Sequence, residues 1–485
     1  MINGRLLLND KHFPPGVMLW PSLPCLTKRM GCLVIPPMSH PVTRKLDRFF
    51  QLTEHGTTVT REVIAGLTTF AAMAYILAVN PGILEAAGID RGAALTATAL
   101  AAALGSLLMG LLANLPIAQA PGMGLNAFFA FTICLSLGVP WQAALGLVFY
   151  SGVLFFLLTI TGLRRQIVEA MPPALKIGIS CGIGLFIALL GLQKCGLVVA
   201  DPVTLVRLGS LHTPTAALAL GGIILAAILV ARKVPAALLL AIGILTVVGL
   251  FLPGSTEGST LTPHPTSVVS WPASLAPTFL ALDLAYLWTH FGTAFGLVLA
   301  LLFVDLFDSM GTLLGVCQRG GLIDKQGRIP KLPQALMADA SASMTGALLG
   351  SSTTTSYIES AAGIEEGGRT GLTAMVVAGC FLLSLLFTPL LLIIPSAATA
   401  PALVVVGLFM LQAVGELPLR DWRECAPGLL VLIMIPLSFS ISDGIALGFL
   451  AYLGLQLGTG RMRQVSWTQL FLGFIFLLHF VLVAV

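Results

Sequence analysis

The chain has 485 residues, 57% of them hydrophobic and only 9% charged, with a mean hydropathy of +0.97. Soluble proteins carry about 25% charged residues, so a soluble fold is excluded and an all-α polytopic membrane protein is expected. The net charge of +4 is too small to call for nucleic acid; the eight cysteines form no C-x-x-C pair and read as packed free thiols. No metal, cofactor or enzymatic chemistry is expected.

Residues 1–37 scatter Pro, Cys and Trp without the charged, apolar and small-residue order of a signal peptide. Met38-Ser-His-Pro then leads into a polar, basic stretch. Residues 1–43 are therefore expected to be a disordered extension, with Met38 as the natural start.

Apolar segments of about 20 residues, long enough to span a bilayer, follow at roughly 64–84, 93–115, 140–163, 174–194, 215–231, 235–253, 287–316, 370–394, 398–414, 426–441, 442–458 and 467–485. Three weaker ones, 116–135, 334–350 and 351–368, contain polar or helix-breaking residues. Basic residues set the orientation. Arg44/Lys45/Arg48/Arg61, Arg164/Arg165, Arg232/Lys233, Arg319/Lys325/Arg328/Lys331, Arg420/Arg423 and Arg461/Arg463 are expected in the cytoplasm, and the loop 254–285, with no Lys or Arg, outside. These landmarks agree if 116–135 supplies one passage and 334–368 two. That predicts about 14 crossings up to residue 458 and a cytoplasmic N-terminus. The apolar helix 467–485 is left over, either a further crossing or packed at the interface.

Two weak segments stand out. Leu115-Pro-Ile-Ala-Gln-Ala-Pro-Gly-Met-Gly-Leu-Asn126 holds two prolines and two glycines, and Gly350-Ser-Ser-Thr-Thr-Thr-Ser-Tyr-Ile-Glu359 is too polar to face lipid. Non-helical backbone at membrane depth survives only inside protein or beside a cavity. Both segments are therefore expected to be discontinuous third and tenth spans with short extended pieces, meeting near the midplane. Each is followed by a Gly-led apolar helix, then Pro-Ala-Leu (Pro173; Pro401) and Gly-Leu-Phe (184–186; 407–409). Seven spans separate the copies, so they run in opposite directions: a 7+7 inverted repeat, the signature of a transporter with its substrate at the midplane.

The chemistry sits in Leu301-Leu-Phe-Val-Asp-Leu-Phe-Asp-Ser-Met-Gly-Thr312, where Asp305 and Asp308 share one helix face with Ser309 and Thr312. A carboxylate at the bilayer centre costs about 2.5–3.5 kcal/mol, so an intramembrane acid is a functional candidate. Glu359, among small and hydroxyl residues, and Asn126, after Pro-Gly-Met-Gly, are the others. Tyr357, Phe128, Phe129 and Phe307 are candidates to stack on a planar ligand, although each is also an ordinary core residue. Asp339 is expected to be structural and solvated near a helix start, and Glu365 and Glu366 a wetted rim. Two carboxylates and an amide suit a flat neutral ligand rich in N–H and C=O groups. Buried acids can hold a proton at neutral pH, so proton-coupled uptake follows.

Ala120-Pro-Gly-Met-Gly-Leu-Asn-Ala-Phe-Phe, Phe303-Val-Asp-Leu-Phe-Asp-Ser-Met-Gly-Thr-Leu and Tyr357-Ile-Glu-Ser-Ala-Ala-Gly resemble the purine-base permeases of the AzgA-like branch of the nucleobase–cation symporter-2 family. So do Glu54-His-Gly-Thr-Thr, Gly367-Gly-Arg-Thr-Gly-Leu-Thr-Ala and Phe439-Ser-Ile-Ser-Asp-Gly-Ile-Ala-Leu-Gly-Phe. The resemblance runs from about residue 44 to 463. It implies a core domain (64–163 and 287–394) that holds the substrate and a gate domain (174–253 and 397–458) that forms a homodimer. It further implies import of adenine, guanine or hypoxanthine with protons across the cell's inner or plasma membrane, with the leaning towards guanine and hypoxanthine. Asp305, Glu359 and Asn126 fall on the family's binding positions, Asp308 on one important for function, and Gly124 on one that shapes specificity. Proton coupling would rest on Asp305, Glu359 and Asp308. The alternatives are a carrier of another solute or anion on the same fold, disfavoured by the lack of cations beside the acids, and an intramembrane aspartyl protease. The latter needs one Asp from each of two facing helices, whereas Asp305 and Asp308 share one.

Overall fold

The structure, a computed structural model, describes residues 41–162, 171–254, 259–265, 267–323, 329, 331–461 and 465–483. The expected extension up to residue 40, the start at Met38, and Arg164, Arg165, Lys325, Arg328 and Arg463 lie outside those residues. The chain divides into residues 1–44 and a unit of residues 45–485 that carries everything below.

After α1 (Pro41–Phe50), the first expected span is two helices, α2 (Val59–Met73) and α3 (Ile76–Ala86), interrupted at Ala74–Tyr75. Helix α4 (Arg91–Leu108) starts where Asp90 accepts from the Ala93 N–H at 2.8 Å, and it widens into a π-helical turn, Met109–Ala113. The third span is discontinuous as expected: strand β1 (Gln119–Pro121), α5 (Met123–Ala127) and a π-helical stretch, Phe128–Ser136. Helices α6 (Trp141–Thr161) and α7 (Pro173–Lys194) follow.

A hairpin, β2 (Val198–Asp201) and β3 (Leu205–Leu208), then precedes α8 (Pro214–Ala231) and α9 (Ala237–Gly249). The hairpin was not legible beforehand, because its apolar residues read as flanks of the neighbouring spans. Its turn is made by the Asp201 carboxylate, which accepts from the N–H groups of Val203 (2.9 Å) and Thr204 (3.0 Å). Those donors, Thr204 first, hold the Asp201 pKa below the usual carboxylate value.

The second half holds α10 (Tyr286–Thr289), the 29-residue α11 (Phe291–Arg319), α12 (Leu332–Leu349), strand β4 (Thr354–Ser356), α13 (Ser360–Glu365) and α14 (Gly371–Ser384). It ends with α15 (Thr388–Leu392), α16 (Ser396–Leu411), α17 (Trp422–Ser438), α18 (Ile441–Gly458) and α19 (Trp467–Val483). Among the described residues nine stretches are long and apolar enough to cross a membrane. The other expected passages are shorter, broken or polar, α9 with 13 residues among them.

Packing runs between the halves. Helix α7 lies against α16 and α17, α4 against α12 and α14, and α2 against α14. Glycine makes this possible where two backbones touch. A Cβ on Gly184 would lie 2.7 Å from the Gly407 carbonyl, and one on Gly407 would meet the Gly184 carbonyl in turn. These are the two glycines of the matching Gly-Leu-Phe pair. Small residues of this kind bring membrane helices together where no hydrophobic force does so. Gly178 and Gly428 form a second such contact, and Gly191 lies against the Ala400 carbonyl.

Buried Glu62 of α2 caps α14. Its carboxylate accepts from the backbone N–H groups of Arg369 (2.8 Å), Thr370 (3.2 Å) and Thr373 (3.2 Å), and from the Thr373 hydroxyl (2.7 Å). This places an anion at a helix N-terminus whose donors have no other partner in a bilayer. Helix α19 packs on α18 and α11, with Phe476 against Phe449 (5.4 Å between ring centres) and Phe303 (5.9 Å).

Gly407→Val is expected to lower the melting temperature in detergent far more than Gly454→Val, since a Cβ at Gly454 meets nothing within 4 Å. Glu62→Ala should cost about 1.5–3 kcal/mol for each charged hydrogen bond that water does not replace. Glu62→Gln, which keeps an acceptor, should lose less in the same measurement.

Candidate functional site

Proline and glycine punctuate both discontinuous spans, and their extended backbone has to find partners inside protein. They find each other. Strands β1 and β4 pair antiparallel, with Gln119 opposite Ser356, Ala120 opposite Thr355 and Pro121 opposite Thr354. The ladder is extended by Gly122 N–H to Thr353 O (2.9 Å) and Tyr357 N–H to Ala118 O (3.0 Å). The Tyr357 hydroxyl donates to the Pro121 carbonyl at 2.6 Å, which a proline cannot reciprocate.

Helices α11 and α12 hold this ribbon through polar side chains. Asp339 of α12 is fully buried, not solvated as expected from the sequence. Its carboxylate accepts from Gln119 Nε2 (2.7 Å), Ser356 Oγ (3.2 Å) and the Ser309 hydroxyl. It thus ties β1, β4 and α11 together. Ser309 also meets the Thr355 hydroxyl at 2.8 Å. With both oxygens supplied, Asp339 is a structural anchor, as expected, but an intramembrane one.

Asp305, one turn before Ser309, is 1% exposed. Ser343 Oγ lies 3.1 Å from Asp305 Oδ2 and 2.8 Å from the Thr354 carbonyl. A serine has one hydroxyl proton and cannot donate to both. Asp305 Oδ1 has no hydrogen-bond partner, nor do Gln119 Oε1 and the hydroxyls of Ser351, Thr353 and Thr354. Five of the nine such buried atoms among the described residues therefore cluster at this ribbon. In native proteins such groups mark functional or solvent-filled places.

Asp308 and Glu359 are half-buried and lie within electrostatic range of each other. The Tyr75 hydroxyl, at the break in the first span, donates to Glu359 Oε1 at 2.6 Å. On the same face of α11, Cβ positions at Gly311 and Gly315 would meet nothing within 4 Å, so open space adjoins Asp308 at that end of the helix.

Asn126 is buried on the other side of the ribbon, and its amide is engaged by protein. It donates to Asn80 Oδ1 and accepts from the Ser352 hydroxyl. Gly124 packs where a Cβ would strike Ile183 of α7, and Phe128 is fully buried in the main core. The structure thus sets Asp308, Tyr357 and Glu359 towards one end of the ribbon, Asp305 beside Thr354 of β4, and Asn126, Gly124 and Phe128 past the other end, next to Ser352. Sequence reasoning missed Tyr75, Asn80, Gln119 and Ser343. Tyr75 and Asn80 were lone polar residues in an apolar span, and Gln119 and Ser343 were lost among the other polar or helix-breaking residues of the weak segments.

A sequence model of the Permease family, Xan_ur_permease, matches residues 60–447. The chain is 43% identical to the adenine permease AdeP of Escherichia coli over 90% of its own length and 96% of that protein. It is 42% identical to the guanine/hypoxanthine permease PbuG of Bacillus subtilis, over 89% of its own length and 99% of that protein. Among solved structures it resembles the transmembrane domain of the cyanobacterial bicarbonate transporter BicA, with a TM-score of 0.60 and 16% identity over 80% of this chain and 97% of that one. That likeness carries the fold alone. Multiple apolar helices, paired broken spans and this kinship agree: the chain is a multi-pass membrane transporter, not an enzyme, and belongs to the Permease family, in the nucleobase–cation symporter-2 group that its motifs resemble.

Proposed function

We propose that the chain imports purine nucleobases, guanine and hypoxanthine or adenine, by proton symport across the inner or plasma membrane, with its N-terminus in the cytoplasm. The observation that carries this reading is the contrast between two intramembrane acids on one ribbon. Asp339 has all its partners, whereas Asp305 has an orphaned oxygen and a serine neighbour that cannot serve two acceptors. A proton on Asp305, donated to Ser343 Oγ, lets Ser343 donate to Thr354 and removes an unpaired charge from the bilayer. Asp305 is accordingly the coupling residue, with Asp308 and Glu359 as its route to open space.

Half-exposed Glu359 accepts ring N–H groups of the base, and Asp305 and Asp308 lie along the opposite edge. Tyr357 and Asn126 hold the two broken spans in register, Phe128 backs the third, and Gly124 leaves room against Ile183. The names of the relatives support a purine over an anion, and so does a site built from carboxylates. The packing of α7 on α16 and α17, separate from that of α4 on α12 and α14, supports a gate domain (174–253, 397–458) and a core domain (64–163, 287–394). A homodimer through the gate domain completes the reading.

Uptake of radiolabelled adenine, guanine and hypoxanthine in a purine-auxotrophic host tests it. Saturable uptake blocked by unlabelled purines and by a protonophore, but not by sulfate, is the expected result. Asp305→Asn should abolish accumulation against a gradient, and concentrative uptake by that variant would refute the coupling role. Glu359→Gln should weaken apparent affinity by about 1.5–3 kcal/mol, roughly ten- to a hundredfold, through loss of a charged hydrogen bond.

A further inference from the structure

The motif Phe439-Ser-Ile-Ser-Asp443 lies away from the ribbon, at the turn between α17 and α18. Beside it is a cavity of about 200 Å³ whose lining includes Thr132, Tyr286, Thr293, Ser440, Ser442 and Asp443. We infer that this cavity is a second binding subsite, where the incoming heterocyclic base docks before it reaches the central carboxylates. The inference rests on the purine-transport reading.

Three elements meet here: the end of the broken third span, the start of α11 and the α17–α18 turn. The side of the membrane follows from charge. The loop 254–285, which carries no Lys or Arg, runs directly into Tyr286, so the cavity opens at the outer end of the bundle. The lining chemistry fits a flat polar molecule. Hydroxyls give and accept hydrogen bonds, a carboxylate accepts ring N–H groups, and a tyrosine ring offers a face. Among the described residues none that lines it is basic, which disfavours a small anion. The volume suffices, since a cavity of about 150 Å³ already takes benzene.

The cavity is cut off from the ribbon. Thr132 Oγ1 donates to the Phe439 carbonyl at 2.5 Å, and the Phe439 ring packs edge-on against Phe186 at 5.6 Å. Phe439 has φ +52°, in the left-handed region that side chains rarely adopt. One turn from Phe186 on α7, Ile183 packs against Gly124, two residues before Asn126. Phe439 and Phe186 therefore stand between the outer cavity and the third-span end of the ribbon. At the opposite end of α11, Asp308 borders open space. For a base to pass inward from the cavity, the strained Phe439 is the piece that has to move.

Thr293→Cys places a thiol in this cavity outside the central network, and Ser136→Cys is a second position on the same lining. Intact cells carrying either variant, or the parent, are treated with a membrane-impermeant thiosulfonate and assayed for guanine uptake. Each untreated variant serves as its own reference, whatever its uptake relative to the parent. Treatment should cut uptake by about tenfold in at least one variant and spare the parent, and saturating guanine on ice, where the transport cycle is stalled, should slow the modification while sulfate should not. Modification that leaves uptake unchanged, or that proceeds at the same rate with guanine present, overturns the subsite. If neither thiol reacts, the cavity is closed to the outside and the subsite is likewise refuted. A parent that takes up no purine refutes the transport reading itself, and the subsite with it.

Discussion

In a bilayer a backbone N–H or C=O without a partner costs several kcal/mol, and the rest of this structure is arranged around meeting that demand where two spans are not helical. The β1–β4 ribbon is the answer. Each broken span supplies the other's hydrogen bonds, so neither half of the chain can complete its site alone. Pairing also fixes register: Ala120 opposite Thr355 sets which side chains of α11 and α12 reach the strands. Polar residues then follow from geometry. Gln119, Ser309, Ser343 and Asp339 are where they are because a ribbon end inside a membrane offers groups that only side chains can satisfy.

The same economy separates the acids by environment. Glu62 and Asp339 are surrounded by donors and serve as structural ties, one capping α14 and the other binding the ribbon. Asp305 lacks such a shell, and half-buried Glu359 has the Tyr75 hydroxyl on one oxygen. Of the five intramembrane carboxylates, Glu62 and Asp339 thus hold structure, Asp305 and Glu359 keep fewer donors, and Asp308 lies beside Glu359. The number of donors makes the division, not residue type.

Much of this could be read from residues alone. Hydrophobic length located most helices to within a few positions, and the proline–glycine and hydroxyl runs announced both broken spans, because each violates the pattern a lipid-facing helix must keep. Asp305, Asp308, Glu359 and Asn126 were visible for the same reason. Partnership was not visible. Asp339 looked solvated because its segment is polar, yet those polar neighbours are what bury it. Asn126 was legible as a polar residue, but its bonds to Asn80 and Ser352 were not. The hairpin Val198–Leu208 was hidden because its alternation is short and lies between two long apolar runs. Contacts between residues hundreds of positions apart leave no local trace.

The glycine seam between α7 and α16 has a mechanical side. Gly184 and Gly407 rest backbone on backbone, and Gly191 sits against the Ala400 carbonyl two turns further on. An axial slip of either helix would bring a Cβ into the space that only hydrogen atoms now fill. The pair is therefore keyed like a spline in its slot: it can be carried or tilted as one piece, but it has no sliding freedom to lend to a moving neighbour.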